Sequence, residues 1–244
     1  RIIYPVSNGS WFGSGSSLPL NVNVTDNLNA STLCNVYVNS SLISGPTAYA
    51  NNTNITTASN PADGANKWLW VNCTDQASNT GKSTVIIFNK DSVSPTISSF
   101  VFTPTTIYTD INVSARVTAT DSLGIVTANV SCYVNASSVL NDTANALTNN
   151  SAFTFDPINN SYYIKSQNLS CIVNMQDQAS NTINQTISSL ISNTAPITPT
   201  SLSVNNASVG SAITATCGGS SDVDGDTVTY HYRFFNFNDS SYVQ

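Results

Sequence analysis

Charge is what this sequence has least of. Only 8% of its 244 residues are Asp, Glu, Lys or Arg, with a net charge of -6. Seven basic residues cannot build a basic groove, so nucleic acid is excluded as a partner. Histidine occurs once, as His231, and there is no Gly-x-Ser-x-Gly motif, so a serine triad would have to run through that residue. His231 sits in the alternating run Tyr230–Phe234, which reads as the face of a strand. Acidic residues are few and fall mostly in turns, which argues against paired-carboxylate hydrolysis. The expectation is a protein that is not an enzyme. Cys-x-x-Cys is absent, which removes the usual zinc pattern. The longest clearly apolar run, Val85–Phe88, has a strand's length, so this segment shows neither a membrane span nor a signal peptide. Export would depend on a segment outside it.

Uncharged polar residues fill the gap: 33 Asn and 66 Ser plus Thr. The Asn-x-Ser/Thr acceptor pattern occurs seventeen times, against roughly nine expected from shuffled composition. N-linked glycans are therefore expected partners, with sugar standing in for charge as the source of solubility. A glycan cannot be buried, and the period-two alternation puts Asn23, Asn39, Asn72, Asn112, Asn129, Asn135 and Asn168 on outward positions.

Cysteine spells out a repeat. Cys34 to Cys73 spans 39 positions, and so does Cys132 to Cys171. Tyr37-Val38-Asn39 returns as Tyr133-Val134-Asn135, and Asp75-Gln76-Ala77-Ser78-Asn79 as Asp177-Gln178-Ala179-Ser180-Asn181. The period of roughly 100 residues is the size of one immunoglobulin-like sandwich. Alternation predicts inward Val22, Val24, Cys34, Val36, Val38, Leu69, Val71 and Cys73, then inward Ile111, Val113, Val130, Cys132, Leu169, Cys171 and Met175. Measured from the repeated blocks, Cys132 lies two places later than Cys34 and Cys171 four places earlier than Cys73. One cysteine advances while the other retreats, as in an antiparallel ladder, and both shifts are even, which keeps the face. The expected bonds are Cys34–Cys73 and Cys132–Cys171, and they point to an oxidising, extracellular compartment.

The expected architecture is all-β: tandem immunoglobulin-like β-sandwich domains in a rod-like array, over residues 1–93 and 94–193, with an incomplete third domain over 194–244. The two joints, Asp91–Thr96 and Ser192–Ile197, each contain a proline. Cys217 has no partner in the third stretch, which leaves continuation beyond Gln244, an unpaired thiol, or completion by another subunit, through Ile2–Val6 for example. Asp222, Asp224 and Asp226 alternate around Gly225. They read either as a polar turn or as calcium ligands, although Thr227 and Arg233 stand where an EF-hand needs Gly and Glu. Trp68 and Trp70 face outward on one strand, as a subunit or sugar contact or as packing beneath a loop or glycan.

The run Cys73–Gly81 and the following Asp91–Ile97 resemble archaeal and bacterial immunoglobulin-like repeats of secreted cell-surface proteins, and Pro196–Leu202 with Cys217–Tyr230 is similar to a second type of such repeat. Ser78 and Ser180 occupy the place of the usual turn glycine. The resemblance implies stalks, sheaths, filaments or adhesins. The leading expectation is a structural subunit of a glycosylated surface filament, sheath or stalk that assembles with itself or other surface proteins. The alternative is an adhesin whose modules present a recognition domain beyond residue 244.

Overall fold

A computed structural model describes residues 2–4, 8–13, 18–27, 31–50, 52, 54–59, 61–205, 208, 210–236, 238 and 240–243. The sequons at Asn29, Asn51 and Asn206 lie outside these residues, as do the side chains of Leu18, Leu20 and Asn54. The chain is all-β, and its helical content among the described residues is the single 3-10 turn Asn160–Tyr162.

The first module contains β1 (Ile2–Tyr4), β2 (Ser10–Phe12), β3 (Leu18–Asn23), β4 (Ser31–Val38), β5 (Ser41–Ala50), β6 (Asn54–Ser59), β7 (Gly64–Thr74), β8 (Thr80–Lys82) and β9 (Ile86–Lys90). Its sheets run β1-β3-β6 and β2-β9-β7-β4-β5, with β8 on the end of β7. The second contains β10 (Thr96–Thr103), β11 (Ser114–Thr120), β12 (Ile125–Val134), β13 (Ser137–Asn145), β14 (Ala152–Thr154), β15 (Asn168–Asp177) and β16 (Thr182–Leu190), ordered β10-β11-β14 and β13-β12-β15-β16. These are immunoglobulin-like sandwiches in tandem.

Each sandwich has its own apolar cluster. Val22, Val36, Leu69, Val71 and Phe88 belong to one, and Val117, Val130, Leu169, Val173 and Met175 to the other. Alternation explains this, since β4 buries Cys34, Val36 and Val38 while exposing or half-exposing Leu33, Asn35 and Tyr37. Each large apolar side chain removed from water contributes about 1.5–3 kcal/mol. Ile111 departs from the expectation. It is half-buried in a turn, and β11 starts only at Ser114. Its carbonyl accepts a hydrogen bond from the buried Tyr163 hydroxyl.

The remaining strands are β17 (Ser201–Val204), β18 (Ala215–Gly218), β19 (Phe234–Asn236) and β20 (Ser241–Val243), in two separate two-stranded ladders. Two hairpin-sized ladders cannot enclose a core. Leu202, Val204 and Ile213 stay exposed, and Cys217 is a half-buried free thiol. Tyr230–Arg233 lies outside any strand, so His231 is an exposed residue of an extended stretch and not part of a strand face. Ile2–Tyr4 pairs with β3 of its own module as the edge strand of that sheet, and the rest of the Ile2–Val6 segment lies outside the described residues.

Burial, then the negative charge of Asp110, pushes the Tyr163 phenol up to about 12. The folded state therefore holds this proton more tightly than the unfolded chain, whose tyrosine titrates near 10. The stabilisation is complete below about pH 10 and disappears as pH rises through about 12, a loss of roughly 2–3 kcal/mol. Denaturant titrations from pH 8 to 12 should show this decline. Tyr163→Phe should cost about 1–2 kcal/mol at pH 8 and flatten the alkaline limb. An unchanged limb would contradict the assignment.

Candidate functional site

The cysteines lie at the centre of each larger sheet. Cys34 is bonded to Cys73 and Cys132 to Cys171, with Cα separations of 4.0 and 4.1 Å. Both are directly opposed cross-strand pairs, β4 against β7 and β12 against β15. They staple neighbouring strands within one sheet and do not cross the sandwich. The structure also refines the spacing. Val38 opposes Leu69 as Val134 opposes Leu169. From that shared rung, the first disulfide lies four residues along both strands and the second two. The shift is therefore symmetric. The apparent unevenness arises because eight residues separate Leu169 from Asp177, but only six separate Leu69 from Asp75.

Asn39, Asn112, Asn129, Asn135 and Asn168 are exposed, whereas Asn23 and Asn72 are half-buried. Asn72 lies between Asn35 of β4 and Lys82 of β8. Asn39 and Asn135 are not strand residues. They open the turns after β4 and β12 with φ of 54° and 46°, a conformation asparagine tolerates better than most residues. Asn112 lies in the loop before β11. Several of these amides use Oδ1 as an acceptor: Asn39 from Trp68 N, Asn112 from Asn160 N, Asn129 from Thr143 Oγ1 and Asn135 from Asn168 N. A glycan is carried on Nδ2, so these bonds and a sugar use different atoms of the amide. At Asn149 the case differs, since its Nδ2 donates to the Asp121 carbonyl.

The two outward tryptophans are not equivalent. Trp70 stacks on Tyr37 at 4.1 Å between ring centroids, lies under the Lys82 ammonium at 4.2 Å, and donates its indole N–H to the Asn39 carbonyl at 3.0 Å. It is an internal part of the sheet's outer face. Trp68 is 56% exposed. The equivalent rung of the second module carries Asn168.

The acidic run Asp222–Asp226 docks onto the second module. Asp226 pairs with the Lys165 ammonium, and Asp224 Oδ2 accepts from Thr194 N at 2.7 Å. Asp222 Oδ1 caps its own turn by accepting from Asp224 N and Asp226 N. A hydrogen bond from Thr109, with help from Thr194 and Lys165, holds the Asp224 carboxyl below the usual range. Its partner Asp226 raises Lys165. Asp224 and Asp226 are thus directed to separate partners, while Asp222 is held by its own turn and its Oδ2 is buried without a hydrogen-bond partner.

At the first joint the repeated Asp-Gln-Ala-Ser-Asn loop does the holding. Ser78 and Ser180 adopt φ of 68° and 69°, the left-handed conformation that a glycine would supply. Asp75 accepts from Asn79 N and Nδ2, as Asp177 does from Asn181. In the second copy Asp177, Ala179 and Asn181 are buried. Asn181 Nδ2 reaches the Asp91 carbonyl at 3.0 Å, across the joint. Among the described residues, the carboxylates that converge are Asp91, Asp121 and Asp177. The members of this group are far apart in sequence, unlike the contiguous acidic alternation at 222–226. The signal available was Thr120-Asp121 and Asp177 repeating Thr25-Asp26 and Asp75.

No protein-family model and no curated protein matches the chain. Among solved structures, fibronectin(III)-like modules of Clostridium thermocellum CbhA are similar at 16% identity and TM-score 0.38, over 79% of this chain and 93% of that one. A Ca2+-stabilized adhesin with which an Antarctic bacterium binds ice is similar at 15% identity and TM-score 0.40, over 80% of this chain and 49% of that one. The FN1-FN3 domains of chicken CNTN1 show 8% identity and TM-score 0.36, over 76% and 66%. The assignment of β-sandwich modules rests on strand order and pairing. No helix among the described residues is long and apolar enough to cross a membrane.

Gly13 reports on the joint. A Cβ there would meet the Ala179 carbonyl oxygen at 2.5 Å, a backbone atom of the next module. Gly13→Ala should therefore loosen the joint without touching either core. Limited proteolysis should cleave residues 91–95 several-fold faster than in the parent chain while the disulfide-linked modules stay intact. Unchanged cleavage would show that the contact is not restrictive.

Proposed function

We propose that this chain is a non-enzymatic structural segment of an extracellular, N-glycosylated surface filament, sheath or stalk. One observation carries the reading: each complete module has its own core and its own central disulfide, and the joint between them is packed and hydrogen-bonded. Such a series gives length and durability. Each disulfide closes a loop whose ends are 39 residues apart, and limits the unfolded chain by about 4 kcal/mol in loop-entropy terms. Disulfides of this kind persist outside reducing compartments, which supports an extracellular location.

Glycosylation supports the same reading, because a charge-poor surface needs another means of staying hydrated. The exposed Asn39, Asn112, Asn129, Asn135 and Asn168 are the favoured acceptors, with the half-buried Asn23 and Asn72 behind them. Exposed Trp68 offers an apolar face for self-assembly or for contact with another surface protein.

Glycopeptide mapping of native material should find sugar on several of the five exposed sites, and negative-stain images should show regular polymers. A bare mass of 25.8 kDa for this segment would remove the glycan claim. Isolated monomeric rods at every concentration would favour the adhesin reading instead.

A further inference from the structure

Three carboxylates from three parts of the fold meet beneath the first joint. Asp91 follows β9, Asp121 follows β11 and Asp177 ends β15. All three are buried, and one ligating oxygen from each lies within 4.8 Å of the others. Local hydrogen bonds fix their orientation. Asp91 Oδ1 accepts from Val93 N at 3.0 Å, and Asp121 Oδ1 accepts from Leu123 N at 2.8 Å and Gly124 N at 2.9 Å. Asp177 Oδ1 accepts from Asn181 N at 2.8 Å, and its Oδ2 from Asn181 Nδ2 at 2.7 Å.

The other oxygens of two of these groups have nothing to bind. Asp91 Oδ2 and Asp121 Oδ2 are buried without a hydrogen-bond partner, on residues only 1% and 7% exposed. An unmatched buried carboxylate oxygen is costly, and three such groups together also repel one another. The side chain of Lys90, next to Asp91 in sequence, is directed elsewhere, its ammonium donating to the Gly13 carbonyl at 2.7 Å. A hard divalent cation supplies what is missing. Carboxylates without histidine or thiolate favour calcium over softer metals.

We propose that Asp91, Asp121 and Asp177 form a calcium-class cation site that locks the joint between the first and second modules. Asp91 comes from the linker and the other two from the second module, so bound cation ties the linker to the sandwich that follows it. At the second joint, by contrast, Asp226 is paired with Lys165. The inference holds for a filament and an adhesin alike.

The test is calorimetric titration of the EGTA-stripped full chain with calcium chloride, paired with thermal melts. The expected result is one saturable site and a Tm rise on the order of 5 °C. Asp91→Asn and Asp121→Asn should abolish both, and Asp224→Asn should leave both. In EGTA, Asp91→Asn should melt no lower than the parent, because it removes a like charge. That separates a lost ligand from a damaged fold. No heat and no Tm shift in millimolar calcium overturns the proposal, as does binding that survives the Asp91 and Asp121 substitutions and is lost with Asp224→Asn.

Discussion

The antiparallel ladder between β4 and β7, repeated between β12 and β15, is the constraint on which each module depends. These strands are the inner strands of the larger sheets, so their registers decide which side chains enter the core. A slip of one residue on β15 would turn Leu169, Cys171, Val173 and Met175 outward together. The disulfide prevents it, because Cys132 and Cys171 can bond only when directly opposed. The turn asparagines finish the same ladder. Asn39 exchanges hydrogen bonds with the backbone of Trp68, and Asn135 with that of Asn168, so the tip of each hairpin is tied to the adjoining strand.

Similar modules do not make similar joints. At the first, the Asp177–Asn181 loop buries itself against the linker. The equivalent Asp75–Asn79 loop is largely exposed, and its internal hydrogen bonds hold the Asp75 carboxyl below the usual range. One five-residue sequence thus gives a solvated turn in one setting and a buried, negatively charged contact in another. At the second joint, Asp222–Asp226 meets threonine, backbone N–H and lysine.

Much of the fold was legible because period-two alternation and matched cysteine spacing report directly on sheet faces. Val36, Leu69, Val130 and Leu169 are inside for the reason the pattern gives. Ile111 was misleading because the alternation begins before the strand does: it lies ahead of β11, and its carbonyl accepts from the distant Tyr163 hydroxyl. Asn39 and Asn135 had the right exposure for a different reason, being turn residues with positive φ. Trp70 could not be distinguished from Trp68 by sequence, since its partners Tyr37 and Lys82 come from other strands. Internal repetition marks Asp121 and Asp177 but not Asp91, and only the fold brings together these residues, 30 and 56 positions apart.

Non-reducing peptide mapping tests the central claim most directly: two modules, each closed across its own central ladder. It should recover Cys34 linked to Cys73 and Cys132 linked to Cys171, with no peptide joining the two modules. A Cys34–Cys132 link, or four free thiols in native material, would contradict the account.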